Sequence, residues 1–298
     1  MSEYTQISNN DCKELLLPDR PHDSHKGTFG RVLVVAGSHN MAGAAYFAAK
    51  ACYRMGAGLC RILTVKENFS VLASLLPEAL LTCYDGDDPD PDVIAEAEEW
   101  ADVLVIGCGM GTSEAARRIL SYLLRHTDKP RVLDADALNL LARNPSLLKY
   151  ARGAILTPHS MEMARLCGCG VEEVESSRAK IAHGLAKRTD SVCVLKGHRT
   201  LITDGKGILY RNETGNSGMA TAGSGDVLAG MIGGLLAGGH LEEPDPLRWA
   251  RLGVCLHGLC GEAASEELTE YAVMASDLLD AIPSVLRMKI NEERQDHE

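Results

Sequence analysis

Six largely apolar runs of strand length, alternating with segments that form helix, constrain this chain more than any other feature. They are Arg31-Val32-Leu33-Val34-Val35-Ala36, residues 60–65, Val103-Leu104-Val105-Ile106, Arg131-Val132-Leu133, Ala154-Ile155-Leu156 and Val192-Cys193-Val194-Leu195. Stretches such as 32–36, 103–106 and 192–195, apolar at every position and not every second one, are expected to be buried on both faces, which a sheet achieves only with cover on both sides. The helical segments between the runs, at 41–56, 67–76, 92–100, 113–125, 137–143, 161–166 and 171–188, supply that cover. The pattern predicts an α/β fold with a mostly parallel sheet and helices on both faces, and ligands bound beyond the C-terminal ends of the strands. Segments 200–203 and 207–211, separated by Asp204-Gly205-Lys206, read as a hairpin on the sheet edge. Helices at 247–260 and 275–286 follow. Residues 1–24, with Pro18 and Pro21, read as an arm or short helix over the core, and residues 291–298 as a polar tail. No repeat or linker divides the chain, so residues 1–298 are expected to form a single domain.

The glycine-rich turns fall at the strand ends. The most informative stretch is Asn216-Ser217-Gly218-Met219-Ala220-Thr221-Ala222-Gly223-Ser224-Gly225-Asp226, which runs into the small apolar residues 227–237. Gly223 and Gly225 permit positive φ and close approach to a ligand, and the helix that follows aims unpaired N–H groups at an anion. Asp226 then stands where it can take a proton during phosphoryl transfer. A plain loop whose aspartate caps the helix fits the same residues.

Other motifs divide into rejected and retained. Gly37 and Gly43 are six apart, with Ala44 where a P-loop needs lysine, so that reading fails. Gly107-Cys108-Gly109-Met110-Gly111 follows a strand and raises a dinucleotide-binding dehydrogenase with Asp134 on the ribose. Its third glycine comes one residue early, and the motif lies on the third strand instead of the first. In Thr157-Pro158-His159-Ser160-Met161-Glu162, His159 and Glu162 can meet over one helical turn, and Glu162 can hold Mg²⁺ through water; a helix-start residue and a dipole-stabilising glutamate is the plainer alternative. Lys196-Gly197-His198-Arg199-Thr200 places a cation beside a glycine at a strand end, as a phosphate pocket or a solvated turn requires. His257, in an apolar helix, reads as a core histidine.

Composition narrows the partners. The net charge is −11 over 298 residues, with no run of Lys and Arg, which excludes a nucleic-acid role and favours small-molecule ligands. The ten cysteines show no zinc spacing and are expected to be free thiols in a reducing cytoplasm. No apolar signal region and no span long enough for a bilayer is expected, hence no membrane association.

The order of these motifs resembles one family. Lys26-Gly27-Thr28-Phe29-Gly30 with Ala36-Gly37-Ser38, then Gly43-Ala44-Ala45, the 107–111 turn, Thr157-Pro158-His159, Leu195-Lys196-Gly197 and Gly223-Ser224-Gly225-Asp226 look like the NAD(P)H-hydrate dehydratases over residues 20–287. The resemblance implies a ribokinase-like three-layer α/β/α sandwich. It also implies repair of NADHX and NADPHX, the hydrated forms of the reduced nicotinamide cofactors, with ADP or ATP as phosphoryl donor, Mg²⁺ and a homo-oligomer, with a tetramer suspected. An epimerase domain is not expected in this chain. By the same resemblance Ala44, Gly109, Gly111, His159 and Asp226 contact the hydrate, with Asp226 as base. Lys196, Gly197, His198, Arg199, Thr200, Gly223, Ser224 and Gly225 hold the nucleotide, and Glu162 serves the metal. The family usually has Pro-Gly where Ser160-Met161 stands, which leaves that turn less constrained. A kinase of the same fold acting on a vitamin precursor or sugar, and a non-catalytic nucleotide sensor, are the competing expectations.

Overall fold

The computed structural model describes residues 6–18, 20–86, 88–239 and 245–295. Ten strands form one sheet: β1 (Gln6–Asn9), β2 (Arg31–Val35), β3 (Leu59–Val65), β4 (Leu80–Tyr84), β5 (Val103–Ile106), β6 (Arg131–Leu133), β7 (Ile155–Leu156), β8 (Val192–Leu195), β9 (Leu201–Thr203) and β10 (Ile208–Arg211). Their spatial order is β1-β10-β9-β8-β7-β6-β5-β2-β3-β4. The seven strands from β4 across to β8 run parallel, and β9 alone is antiparallel to both neighbours. The chain moves outward from β2 to β4, then returns to the other side of β2 as β5. That reversal opens a crevice beyond the C-terminal ends of β2 and β5, where open parallel sheets bind ligands.

Eleven α-helices complete the described structure: α1 (Ala42–Arg54), α2 (Phe69–Leu75), α3 (Pro91–Trp100), α4 (Glu114–His126), α5 (Ala135–Arg143), α6 (Ser160–Cys167), α7 (Val171–Ser176), α8 (Arg178–Thr189), α9 (Ser224–Gly238), α10 (Pro246–Leu268) and α11 (Ala275–Gln295). Alternation along β2 decides the two faces: Val32 and Val34 join a core with α1, α9, α10 and α11, whereas Leu33 and Val35 join a core with α3 through α8. The expected sandwich of helices on both faces is therefore present.

Several glycines of α9 face the alanine-rich side of α1 and allow close approach. A Cβ on Gly230 would be driven into the carbonyl oxygen of Ala48, and one on Gly234 would lie 2.7 Å from the Cβ of Met55. The alanine-rich face of α1 is thus spent in the core against α9, not left for a partner. This packing brings the first turn of α9 to the C-terminal edge of the sheet.

Several expectations need correction. Two strands were not foreseen: β4 is a half-exposed edge strand with a weak apolar pattern, and β1 is four residues of the arm. Because β1 pairs outside β10, the predicted hairpin is not at the edge. The helix expected at 171–188 is broken at Ser177 (φ −135°, ψ 31°). The helix expected at 247–260 runs on to Leu268, and the one at 275–286 to Gln295, which takes in most of the expected polar tail; residues 296–298 lie outside the described ones. Cysteines are not all free either: Cys12 and Cys255 form a disulfide that ties the arm to α10, with Cα atoms 5.8 Å apart. Their separation of 243 residues carries no local pattern, which is why spacing did not reveal it. No described helix is long and apolar enough to cross a membrane.

Gly230→Ala should destabilise the protein by about 1–3 kcal/mol through overpacking, although alanine is the better helix former. Gly184→Ala in α8, where an added Cβ meets nothing within 4 Å, should stabilise by up to about 1 kcal/mol. Urea unfolding of the two variants measures both signs.

Candidate active site

Four strand ends and one helix start converge. At the end of β5, Gly107 has φ +126°, and a side chain there would collide with the carbonyl oxygen of Asp134 beyond β6. Glycine is what allows the two turns to touch. The touching turn is itself held in a rare conformation, since Ala135 has φ +45°. Gly109 (φ +57°) sits against Ala44 of α1, where an added Cβ would lie 2.7 Å from that of Ala44. The backbone N–H of Gly111 donates to Asp136 Oδ2 at 2.9 Å. Ala44, Gly109 and Gly111 therefore line the β2–β5 crevice together.

The charged centre lies one strand further along. Lys196, at the end of β8, reaches across β7 to donate to Asp134 Oδ1 at 2.6 Å, and Thr157 Oγ1 donates to the same oxygen at 2.7 Å. The Asp134 side chain is 2% exposed and that of Lys196 is 17% exposed. Glu162 Oε2 lies 3.9 Å from the ammonium group. His159 caps α6: its Nδ1 accepts from the N–H groups of Met161 (3.1 Å) and Glu162 (3.4 Å), and Glu162 Oε2 accepts from the His159 N–H at 2.9 Å. This reciprocal capping box holds despite Ser160-Met161 in place of the usual Pro-Gly. Ser160 is restrained differently. Its Oγ bonds Glu175 and receives Arg178 Nη1 at 3.4 Å, while Arg178 Nη2 donates to the carbonyls of Leu195 (3.1 Å) and Lys196 (3.3 Å).

Asp226, in the first turn of α9, completes the cluster. Its carboxylate, the Asp134 carboxylate and the Cys108 thiol lie within 4.8 Å of one another. Gly223 adopts φ +91° as the helix N-cap, and a Cβ on Gly225 would stand 3.4 Å from Lys196 Nζ, so glycine keeps the space between helix start and ammonium open. Ser224 is buried, with its Oγ 3.4 Å from His257 Nε2. His257 is a buried histidine as expected, pushed down to about 4 chiefly by burial.

Electrostatics follow from three carboxylates sharing one cation. Asp226 is pushed up to about 6, first by its burial and then by the charge on Asp134. Burial also raises Glu162, against the pull of Lys196. His159 is lowered by burial and by Lys196. Burial opposes the charge on Lys196, but Asp134 and Glu162 together overcome it and raise its pKa. Not every predicted residue joins this centre. Gly197, at φ +144°, packs against the guanidinium of Arg178, and Thr200 Oγ1 caps the turn by donating to the Gly197 carbonyl at 3.1 Å. His198 and Arg199 are exposed, and Arg199 pairs with Glu213 at 3.1 Å. Asp134, Thr157, Cys108 and Arg178 were not anticipated here. Asp134 at a parallel strand's C-terminal end was the available signal, but it was weighed only as a ribose acceptor.

Comparison with known proteins decides the family. The family model described as NAD(P)H-hydrate dehydratase matches residues 32–284. The chain belongs to the NAD(P)H-hydrate dehydratase family. It is 42% identical to the ADP-dependent (S)-NAD(P)H-hydrate dehydratase of Neisseria meningitidis over 87% of this chain and 84% of that protein. It resembles a ribokinase-like superfamily protein from Enterococcus faecalis, with a TM-score of 0.83, 30% identity and 96% of each chain covered. The ADP/ATP-dependent NAD(P)H-hydrate dehydratase of Bacillus subtilis, co-crystallised with ATP and Mg²⁺, gives a TM-score of 0.78 at 31% identity, over 93% of this chain and 96% of that one. The expected ribokinase-like architecture is thus found. The chain spans about half the length of the curated bifunctional NAD(P)H-hydrate repair enzymes it matches, 51% to 55% in the bacterial and archaeal examples.

In this dehydratase-family site, Lys196→Met should cost about 3–5 kcal/mol of stability, because Asp134 is left buried without its cation. Adding Asp134→Leu should recover part of that loss, which a double-mutant cycle by urea unfolding would read as strong coupling between the two positions.

Proposed function

We propose that this chain catalyses the ADP- or ATP-dependent dehydration of the S epimer of NADHX and NADPHX. The observation that carries this reading is Asp226. It is a carboxylate raised to about 6 at the start of a helix, facing an ammonium group across a gap held open by glycine. A base with that affinity for protons is mostly ionised at neutral pH yet accepts a proton readily.

The substrate carries a hydroxyl on the carbon beside the ring nitrogen, and hydroxide leaves poorly. Asp226 takes the hydroxyl proton as the substrate oxygen bonds to the terminal phosphorus, and the bond from that phosphorus to the donor's bridging oxygen breaks. The N–H groups at the start of α9 and the Lys196 ammonium stabilise the charge on the phosphoryl oxygens. The ring-nitrogen lone pair then expels phosphate, and loss of the neighbouring proton restores the C=C bond. The sum is hydrate plus ADP to reduced nucleotide, AMP and phosphate, or ADP and phosphate when ATP is the donor. Ala44, Gly109, Gly111 and His159 are assigned to the hydrate. Lys196, Gly197, His198, Arg199, Thr200, Gly223, Ser224 and Gly225 are assigned to the nucleotide.

The donor set also fits Mg²⁺. Asp134, Glu162 and Asp226 offer hard carboxylate oxygens and outnumber Lys196, the excess negative charge that a strongly hydrated divalent ion suits. Glu162 would hold the ion through water, and the ion would neutralise charge on the transferring phosphoryl group.

Asp226→Asn should fold and bind nucleotide while losing turnover by at least about 10² to 10⁴-fold, followed by the near-ultraviolet absorbance of the reduced nicotinamide. Turnover near that of the wild type would remove Asp226 as the base. With wild-type protein, kcat/KM should fall as pH drops through about 6, because protonated Asp226 cannot accept the hydroxyl proton. Product analysis separates this reading from a kinase: free phosphate supports dehydration, and accumulated phosphorylated substrate supports a kinase.

A further inference from the structure

We propose that Cys108, Asp134 and Asp226 form a binding site for a thiophilic divalent cation such as Zn²⁺. The inference rests on the arrangement of these side chains and not on the reaction assigned above.

The two oxygens of Asp134 have unequal surroundings. Oδ1 accepts from Lys196 and Thr157, at 2.6 and 2.7 Å. Oδ2 is directed to the other side, where its one hydrogen-bond partner among the described residues is the Cys108 thiol at 3.9 Å. A thiol is a weak donor, and at that length it scarcely satisfies a carboxylate oxygen on a side chain only 2% exposed. Buried carboxylate oxygens normally have donors or cations. The carboxylate of Asp226 faces the same point, and all three donor atoms fall within 4.8 Å of one another.

The positions are set before any ion arrives. Cys108 lies between Gly107 and Gly109, both at positive φ, and its carbonyl is pinned by the Gly37 N–H at 2.9 Å. Asp134 is held by its pair with Lys196, which occupies the opposite oxygen, so a cation on Oδ2 leaves that pair intact. Three carboxylates against one ammonium leave the surroundings negative. One sulfur and two carboxylates provide three ligands of a tetrahedral site with a fourth position open. Sulfur also decides which ion. Mg²⁺ prefers oxygen and its own waters, whereas a softer ion gains from thiolate. On binding, the Cys108 S–H bond breaks heterolytically, the sulfur keeps the electron pair and bonds the metal, and the proton leaves to water; nothing is oxidised. Bound there, the ion would hold the Asp226 carboxylate and keep it from accepting a proton.

Co²⁺ titrated into metal-free protein, without nucleotide or substrate, tests the site directly. A saturable thiolate-to-cobalt charge-transfer band with tetrahedral visible absorption, displaced by Zn²⁺, is the expected result. In Cys108→Ser and Asp226→Asn, Zn²⁺ affinity measured against a chelating dye should fall by more than about tenfold, with melting curves to establish folding. A band of equal strength in Cys108→Ser, or none in wild type, overturns the proposal. Should either variant fail to fold, zinc-edge X-ray absorption of wild type carrying one equivalent of Zn²⁺ decides: one sulfur scatterer beside oxygens is expected, and a shell without sulfur would refute the site.

Discussion

The ion pair between Lys196 and Asp134 is the interaction on which the site depends. It spans β7 to join the ends of β6 and β8, and it lets three carboxylates stand together in a place with little water. Without a cation, the mutual repulsion and desolvation of Asp134, Glu162 and Asp226 would force protons onto them or push the turns apart. With it they stand together, and Asp226, which has no direct bond to Lys196 among the described residues, is pushed up to about 6 by its burial and by the charge on Asp134.

How much of this could be read in advance follows burial. β5 and β8 are apolar at every position, and β2 and β6 at every position after an initial arginine, because both faces are buried, so their place in the sheet is plain. β4 is exposed on one side and pairs only with β3, which leaves its pattern half polar. β1 owes its conformation to β10, some two hundred residues away, and nothing in Gln6-Ile7-Ser8-Asn9 demands a strand. The turns behaved similarly. Gly223, Gly225 and Asp226 announced themselves by local chemistry, whereas the importance of Asp134 lies in a partner 62 residues later, a spacing that belongs to no helix or strand period. The disulfide between Cys12 and Cys255 escaped for the same reason.

The departure at Ser160-Met161 shows how a turn can be stiffened by contacts in place of backbone restriction. Proline restricts φ directly, whereas glycine widens the accessible range to positive φ. Here the side chain of Ser160 bonds Glu175 and Arg178, and Arg178 in turn holds the carbonyls that precede Gly197. One guanidinium thereby links the His159 turn to the Lys196 turn, the two loops assigned to hydrate and nucleotide.

The outermost strand has a consequence for how the molecule is made. β1 is the earliest described strand in the chain, yet its hydrogen-bonding partner is the last strand, and Cys12 meets Cys255 in a helix that comes later still. During synthesis the parallel core from β2 to β8 can assemble while this leading segment waits, because its partners have not emerged from the ribosome. The arm is therefore a clasp fastened late, and until it closes, the outer edge of β10 offers unpaired backbone groups to any other extended chain nearby.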